Sequence, residues 1–310
     1  MKILFIGYGS IAIKHKISLE KKFKKVNFYA LRHKIDYKNI DGVNSILKEN
    51  LLNEKFNAII ISSPSVFHCD QIFELINLDT PILVEKPLCV NRTQWNKLYK
   101  LSRKEHPIIY VACNMRFNPM ITYLKKYLEV NKSRIYEVSA YAGSYLPEWR
   151  PNLDYRKSYS SIKKLGGGVE FDLIHETDML YFLFGEPISS KIEKRKISNL
   201  NIDSNDWALI YLKYVDFSAT INLNYYRKRA KRTIEIVREK DIIQLDFIKG
   251  TIVDLKNNKI LFDAPKDSMK LSYDFQFDYF FDCIKNNKVP LNNLKEALKV
   301  CDLILNPNFN

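Results

Sequence analysis

The chain has 310 residues, of which 46% are hydrophobic, with only 9 Gly and 11 Pro, and this composition excludes a disordered or fibrous protein. The length is enough for two domains. The formal net charge is +14, but Lys and Arg are scattered along the chain with modest clusters at 21–25 and 227–232. Without a basic tail or zinc-finger spacing, this charge argues against nucleic acid as a partner and favours small anionic ligands.

Cysteine content and hydropathy indicate the compartment. No apolar run approaches the ~20 residues of a membrane helix, and no small-residue cleavage site follows the first apolar stretch. We therefore expect a soluble cytoplasmic protein with no membrane partner. The odd number of cysteines and their wide spacing predict buried free thiols and no metal site. They are Cys69, Cys89, Cys113, Cys283 and Cys301.

The first residues predict a dinucleotide-binding turn. Lys2–Ile6 is typical of a buried strand, and Gly7 and Gly9 follow it directly. In such turns the first glycine permits the tight bend, the second lets the backbone approach a pyrophosphate, and a small residue such as Ala12 lets the helix pack closely. The helix N-terminus attracts phosphate. The predicted phosphate-binding residues are Gly7, Gly9, Ser10, Ile11 and Ala12. An ordinary strand–helix turn is the alternative.

The second predicted strand, residues 26–32, indicates which dinucleotide binds. It ends in Arg32-His33-Lys34, with no carboxylate before Asp36. An acidic residue at this point binds the ribose 2′-hydroxyl of NAD, whereas a basic residue accommodates the 2′-phosphate of NADP. The cofactor is therefore expected to be NAD(P), with NADP slightly favoured through Arg32. Alternatively, Arg32 stacks on the adenine and serves either cofactor.

Strand and helix patterns alternate up to residue 118. Apolar runs at 57–61, 81–84 and 108–112 predict buried parallel strands, with helical stretches between them. This alternation is typical of the doubly wound α/β sheet of a Rossmann domain. We predict an NAD(P)-binding domain at 1–118.

The pattern changes after a helix near 120–130. A strand at 135–142 precedes a polar, aromatic-rich loop at 143–164 and a helix at about 168–184. Strands then follow one another without intervening helices, which predicts an α+β domain at 119–310 with a large, open, mixed or antiparallel sheet. Those strands are 188–197, 206–214, 217–226, 232–238, 241–247 and 250–254. A final helix at 293–305 is expected to pack on either domain.

An ordered series of motifs gives a family resemblance over essentially the whole chain. The series is Gly7-x-Gly9-x-x-Ala12-x-x-His15, Ser63-Pro64 with His68, Glu85-Lys86-Pro87, Asn114-x-Arg116-Phe117 with Pro119, and Gly166-Gly167-Gly168 leading to Asp172, His175 and Asp178. The chain resembles the Gfo/Idh/MocA oxidoreductases, which include glucose–fructose oxidoreductase and inositol dehydrogenase. Within them it is similar to a subgroup of cell-surface sugar biosynthesis.

The resemblance implies hydride transfer between NAD(P) and a secondary alcohol carbon of a sugar or nucleotide-sugar. Removing a hydride from an alcohol also requires a base for the hydroxyl proton, and histidine suits that role near neutrality. His175 matches the family's acid/base, Lys86 its electrostatic stabiliser, and Asp172 its accompanying carboxylate. Further implied cofactor contacts are Ser63, Pro64, His68, Glu85 and Lys86.

Each of these residues has a structural alternative. Lys86 can form a buried pair with Glu85, and His175 can be a core histidine. His15 and His68 are as well explained as structural side chains. The family's usual spacing places the aspartate four residues before the histidine, where this chain has Phe171. Asp172 is three residues before His175, and residues three or four apart share one helix face, so both remain plausible residues of the cleft. The role of Asp172 stays open between orienting His175 and binding a substrate hydroxyl.

The loop at 143–164 is the expected source of substrate specificity, because Arg and aromatic side chains suit phosphates, carboxylates and sugar rings. The predicted substrate-binding residues are Asn114, Arg116, Trp149, Arg150, Asp154, Tyr155, Arg156, Asp172 and His175. A solvated loop is the alternative.

The sequence thus predicts an NAD(P)-dependent sugar dehydrogenase or reductase, forming a homodimer or homotetramer through the open sheet. Two other classes remain: a non-catalytic dinucleotide-binding regulator, and an internal-redox sugar epimerase or glycosidase with tightly bound NAD.

Overall fold

The computed structural model describes residues 1–32 and 42–305, which form two compact units. The first unit contains Met1–Cys113 and Tyr273–Leu298, and the second contains Asn114–Ser272 and the chain from Lys299 onward. The sequence prediction divides the chain once, at residue 118, whereas the structure assigns residues 273–298 to the same unit as the N-terminal segment. This return of the chain has no local sequence signal, since it depends on long-range packing.

The first unit contains a six-stranded parallel sheet with strand order β3-β2-β1-β4-β5-β6. This order confirms the predicted doubly wound α/β fold. Its elements are β1 Lys2–Ile6, α1 Ser10–Lys22, β2 Asn27–Arg32, β3 Val43–Leu47, β4 Ala58–Ile61, α2 His68–Leu75, β5 Ile82–Glu85, α3 Arg92–Leu101 and β6 Ile109–Ala112. Strand β3 was not predicted, because only two of its five side chains are buried and its hydrophobic pattern is weak.

The parallel register aligns the carboxyl ends of the central strands. Ile6 of β1 pairs with Ile61 of β4, Ile61 pairs with Val84 of β5, and Val84 pairs with Val111 of β6. Strands β4, β5 and β6 are buried along their whole length, as expected for strands covered on both faces. The residues that follow these strands therefore meet at one edge of the sheet.

The second unit contains an eight-stranded mixed sheet with order β14-β13-β12-β11-β7-β10-β9-β8. Only β7 and β10 are parallel neighbours, and this architecture confirms the predicted α+β class. Its elements are α4 Pro119–Val130, β7 Ile135–Tyr145, α5 Val169–Asp172, α6 Ile174–Phe184, β8 Ser189–Arg195, β9 Trp207–Lys213, β10 Ser218–Asn224, β11 Tyr226–Arg238, β12 Ile242–Asp246, β13 Thr251–Asp254 and β14 Lys259–Asp263.

Two helices complete the chain, α7 Ser268–Lys285 and α8 Leu294–Leu305. Helix α8 agrees with the helix predicted from the sequence, but α7 was missed, as was β14. The aromatic residues of α7 are not confined to one stripe: Phe277 and Phe280 are fully buried while Phe275 is 44% exposed. This distribution weakens the helical periodicity that sequence analysis depends on.

The single helix predicted at 168–184 is two helices, α5 and α6. The interruption lies at Leu173, whose φ of −100° and ψ of 28° depart from helical values. The argument that Asp172 and His175 share one helix face therefore does not apply as stated, because the two residues belong to different helices.

A buried ion pair fixes α6 in the second unit. Arg116 lies in a 3-10 turn at Asn114–Phe117, and its guanidinium binds Asp178 of α6 through Nε at 2.9 Å and through a terminal nitrogen at 2.6 Å. Arg116 is 4% exposed and Asp178 is fully buried. A two-pronged contact of this kind stabilises the fold only while both partners are present.

We expect Arg116→Met to lower the free energy of unfolding by about 3–5 kcal/mol, since it leaves the Asp178 carboxylate buried without its main partner. Urea unfolding measures the effect. The matched control is Lys97→Met, which removes an exposed lysine 3.5 Å from Asp70 and should leave the unfolding midpoint unchanged. Equal midpoints for the two variants would contradict a structural role for the buried pair.

Candidate functional site

The turn between β1 and α1 has the backbone geometry of a phosphate-binding loop. Gly7 has a φ of +80°, and a Cβ placed on it would lie 2.7 Å from the Cα and N atoms of Ser63. Both the conformation and the close approach therefore require glycine. Gly9 differs: its φ is −108°, and a Cβ on it would meet nothing within 4 Å. The open space beside Gly9 is what close approach of a pyrophosphate to the backbone requires.

The first turn of α1 adds hydrogen-bond donors to this recess. The first intrahelical bond runs from the Ile13 amide to the Gly9 carbonyl at 3.2 Å. The preceding amides, those of Ser10, Ile11 and Ala12, are the ones that a helix N-terminus leaves for a ligand. The first turn contains no acidic residue. These features fit a dinucleotide phosphate.

We expect Gly7→Ala and Gly9→Ala to have different effects. Gly7→Ala should lower the free energy of unfolding by at least about 2 kcal/mol, because it combines a left-handed backbone with a steric clash. Gly9→Ala should leave the unfolding free energy unchanged and weaken NADH binding by at least about tenfold, or 1.4 kcal/mol. Urea unfolding and NADH fluorescence separate the two effects. Unchanged NADH affinity in Gly9→Ala would contradict the proposed phosphate position.

Lys86 follows β5 at the same sheet edge. Its side chain is half-buried. The preceding residue, Glu85, is 8% exposed, and its carboxylate lies 2.7 Å from Nε2 of His15 on α1. The sequence allowed a structural role for His15 but named no partner for it. The structure shows that this partner is Glu85.

His68 lies between two backbone carbonyls. Its Nδ1 lies 2.8 Å from the Pro87 oxygen and its Nε2 lies 3.0 Å from the Ser63 oxygen. Burial lowers the pKa of this imidazole, against the opposing effect of the two carbonyls and Glu85. The ring is completely buried. These contacts are those expected of the structural alternative for His68.

The remaining predicted cofactor residues flank this edge. Ser63 and Pro64 lie just beyond β4, and the Ser63 hydroxyl donates to the side chain of Gln71 at 2.6 Å. Arg32 is half-buried and is the last residue of β2. His33, Lys34 and Asp36, which entered the argument for NADP, lie outside the described residues.

In the second unit, Asp172 is the centre of a group of tyrosines. It is 6% exposed, and the hydroxyl of Tyr225 donates to its Oδ2 at 2.5 Å. Tyr159 also donates to Asp172, and the negative charge of Asp172 is the main reason that the pKa of Tyr159 lies above its usual value. Burial, followed by the charge of Asp172, raises the pKa of Tyr225. Both phenols therefore stay protonated and serve as donors.

The predicted specificity loop is attached to these tyrosines. The Trp149 ring packs edge-on against Tyr225, with centroids 5.3 Å apart, and its indole nitrogen donates to Ser144 at 2.8 Å. The guanidinium of Arg150 lies over the Tyr159 ring, 5.4 Å from its centroid. Asp172 thus connects to both Trp149 and Arg150 through one phenol each.

The other predicted substrate-binding residues of this loop form hydrogen bonds with each other or with neighbouring backbone. Asp154 accepts hydrogen bonds from Arg156, which hold the pKa of that carboxyl below its usual value. The Tyr155 hydroxyl accepts the Asn201 amide at 3.2 Å. These three side chains, Asp154, Tyr155 and Arg156, thus have partners within the loop or next to it, and their predicted contact with substrate stays a prediction.

His175, the predicted acid/base, is the second residue of α6 and lies in a segment rich in buried carboxylates. Glu170 lies 3.2 Å from Lys194 and Glu176 lies 2.5 Å from Arg232, while Asp178 binds Arg116. His175 itself is half-buried. Each acidic residue thus has a cationic or phenolic partner from another element. Asn114, also predicted to bind substrate, donates to the Ser272 hydroxyl at 2.7 Å.

Sequence reasoning missed Tyr225, Lys194 and Arg232 as partners of this segment. Tyr225 is 53 residues from Asp172 and Arg232 is 56 residues from Glu176. No local pattern identifies such pairs, because they result from strand order in the sheet. Of the partners of this segment, only Tyr159 could be expected from the sequence, because it lies in the predicted specificity loop at 143–164.

We expect Tyr225→Phe to lower the free energy of unfolding by about 1–3 kcal/mol, because the buried Asp172 carboxylate loses a charge-assisted hydrogen bond. Urea unfolding measures this loss. Tyr136→Phe is the control, since Tyr136 is 50% exposed and should tolerate the change. Equal stability of the two variants would show that Asp172 does not depend on the Tyr225 hydroxyl.

Known protein families include one that matches the N-terminal part of this chain. Residues 1–113 match the family described as "Oxidoreductase family, NAD-binding Rossmann fold", the Gfo/Idh/MocA family. The match covers 113 of the 310 residues, the part that contains the six-stranded sheet and the glycine turn. The predicted resemblance to the Gfo/Idh/MocA oxidoreductases is confirmed over this part of the chain.

Individual relatives of this chain are distant in sequence. Oxidoreductase P35 of Formosa agariphila is 25% identical over 233 residues, which cover 73% of this chain and 71% of that protein. Other curated relatives are matched over less than half of their own length.

Solved structures share the fold along almost the whole chain. The WlbA dehydrogenase of Bordetella pertussis, in complex with NADH and UDP-GlcNAcA, has a TM-score of 0.80 at 17% identity, with 98% of this chain and 94% of that chain covered. A levoglucosan dehydrogenase in complex with NADH has a TM-score of 0.82 at 15% identity, with 98% and 96% covered.

Within 1–32 and 42–305, no helix is long and apolar enough to cross a membrane. Over the same part of the chain, no group of three or more His, Cys, Asp or Glu side chains is arranged to hold a metal ion.

Proposed function

We propose that this Gfo/Idh/MocA protein is an NAD(P)-dependent oxidoreductase that transfers a hydride to or from a secondary alcohol carbon of a sugar. The observation that carries the proposal is the alignment of β1, β4 and β5, which brings the glycine turn, Ser63 and Lys86 to one sheet edge. Ligands of doubly wound sheets bind at this carboxyl edge.

The roles of the chain's residues follow from their chemistry. The bound nicotinamide accepts or donates the hydride. Lys86 stabilises negative charge that develops on the substrate oxygen, and His175 exchanges the hydroxyl proton. Asp172 is already held by two phenols, so we assign it to positioning the loop of Trp149 and Arg150, with any contact to substrate secondary.

For the cofactor, we propose a preference for NADP(H) that depends on Arg32. This residue ends β2, where the 2′-position of the adenosine ribose is read in dinucleotide folds. A basic side chain there suits the 2′-phosphate.

For the substrate, we propose an anionic or nucleotide-linked sugar of surface glycan biosynthesis. The net charge of +14 favours anionic ligands, and Arg150 is held in place by Tyr159. The structurally similar WlbA dehydrogenase was solved with a nucleotide-sugar.

We also propose that the protein forms a homodimer or homotetramer, in which the open face of the eight-stranded sheet is covered, and that it acts in the cytoplasm. The five cysteines are buried and free, which fits a reducing compartment.

The first experiment is a fluorescence titration with NADH and NADPH, followed by a turnover screen with sugar nucleotides and free sugars. We expect Lys86→Met to reduce turnover by about 100-fold or more while NADPH affinity stays unchanged, because the lysine acts on developing charge. Lys97→Met is the matched control.

The outcomes separate the candidate functions. Tighter binding of NADH than NADPH would refute the Arg32 argument but keep the enzyme. Dinucleotide binding without net oxidation of any sugar would indicate a regulator or an internal-redox enzyme, and full turnover by Lys86→Met would overturn the role of this residue.

A further inference from the structure

Two buried histidines contact the residues on either side of Lys86. His15 binds the Glu85 carboxylate, and His68 lies within hydrogen-bond distance of the Pro87 carbonyl. Both imidazoles have no exposed surface. They come from different helices, α1 and α2, so the tripeptide Glu85–Pro87 is held from two directions.

The His15 side of this arrangement is rigid. The imidazole is enclosed by the aromatic rings of Tyr273 and Phe277, at centroid distances of 5.9 and 5.2 Å. A buried carboxylate is costly without a donor, so the Glu85 side chain depends on the 2.7 Å contact with His15. Glu85 is also the last residue of β5 and pairs with Ala112 of β6. The backbone entering Lys86 therefore has little freedom.

The His68 side fixes the backbone that leaves Lys86. Its two ring nitrogens face the carbonyls of Pro87 and Ser63, at 2.8 and 3.0 Å. Ser63 is the residue whose backbone lies against Gly7. A neutral imidazole has one N–H, and the Pro87 oxygen, at the shorter distance, is the acceptor we assign to it. His68 thus holds the Pro87 carbonyl while its ring packs against the Ser63 backbone.

These contacts point to a function in placing the Lys86 side chain. A lysine side chain has four rotatable methylene bonds, and its ammonium can act at a fixed point only if the backbone below it is fixed. His15 also lies on α1, the helix whose first turn offers amides to the dinucleotide phosphate. The same helix therefore supports both the cofactor turn and Glu85.

We propose that His15 and His68 are positioning residues for Lys86, which hold the Glu85–Pro87 tripeptide from its two ends. The inference rests on the proposed role of Lys86, but the contacts that carry it do not depend on which sugar is the substrate.

The test replaces each histidine by asparagine or by glutamine. One of the two amides keeps a donor where the imidazole nitrogen stands, and the other does not. A glutamine amide occupies about the position of an imidazole Nε2, and an asparagine amide about that of Nδ1. His15→Gln keeps the donor toward Glu85, whereas His15→Asn loses it. Conversely, His68→Asn keeps the donor toward Pro87 and His68→Gln loses it. Each histidine thus has its own matched pair.

The readout is the rate at which the full-length protein's Lys86 is acetylated by trace acetic anhydride near pH 8, measured by peptide mass spectrometry. Lys97, exposed on α3, is the internal reference. We expect the Lys86 rate to change by at least about threefold in His15→Asn and in His68→Gln, since a freed backbone lets the ammonium move. His15→Gln and His68→Asn should keep the wild-type rate.

Several results would overturn the proposal. One is an equal Lys86 rate in both members of each pair, and another is a lower melting temperature in His15→Asn with no change at Lys86. If one pair fails to fold, the other still decides, because the two histidines act on opposite ends of the tripeptide. NADH titration of the wild type reports on the proposed function separately, since the acetylation rates require neither cofactor nor substrate.

Discussion

The parallel register of the six-stranded sheet is the constraint on which the first unit depends. Strands β1, β4, β5 and β6 end in step, so the residues that follow them are brought together although they are far apart in sequence. Strands β4, β5 and β6 are short and fully buried, so polar side chains are concentrated beyond their ends. The edge thereby combines the glycine turn with a lysine and two buried histidines.

In the second unit, the main constraint is the burial of acidic residues around His175. Glu170, Asp172, Glu176 and Asp178 are each at most 6% exposed. Their partners come from β8, the loop after β7, the residue after β10, β11 and the turn before α4. Because unpaired buried charges are costly, each partner is tied to its place in the fold. The segment α5–α6 is consequently fixed from several directions.

The sequence predicted much of this architecture because its signals are local. Apolar runs bounded by turn residues identified β4, β5 and β6, and the glycine turn identified the start of α1. The elements that were missed carry weak local patterns, as in β3, or aromatic residues on several sides, as in α7. The interruption at Leu173 was also missed, because a single non-helical residue leaves the apolar spacing almost unchanged.

The same distinction holds for the candidate site. Gly7, Gly9 and Lys86 could be named from the sequence, since each is defined by its neighbours along the chain. The environment of Asp172 could not be named, because Tyr225 reaches it only through the order of strands in the mixed sheet. The sequence by itself determined the buried strands of the first unit, the glycine turn and the resemblance to a family. Tertiary structure alone decided that His15 and His68 contact Glu85 and Pro87 and that Asp172 accepts hydrogen bonds from two tyrosines, because a side chain's partner is set by packing between distant segments.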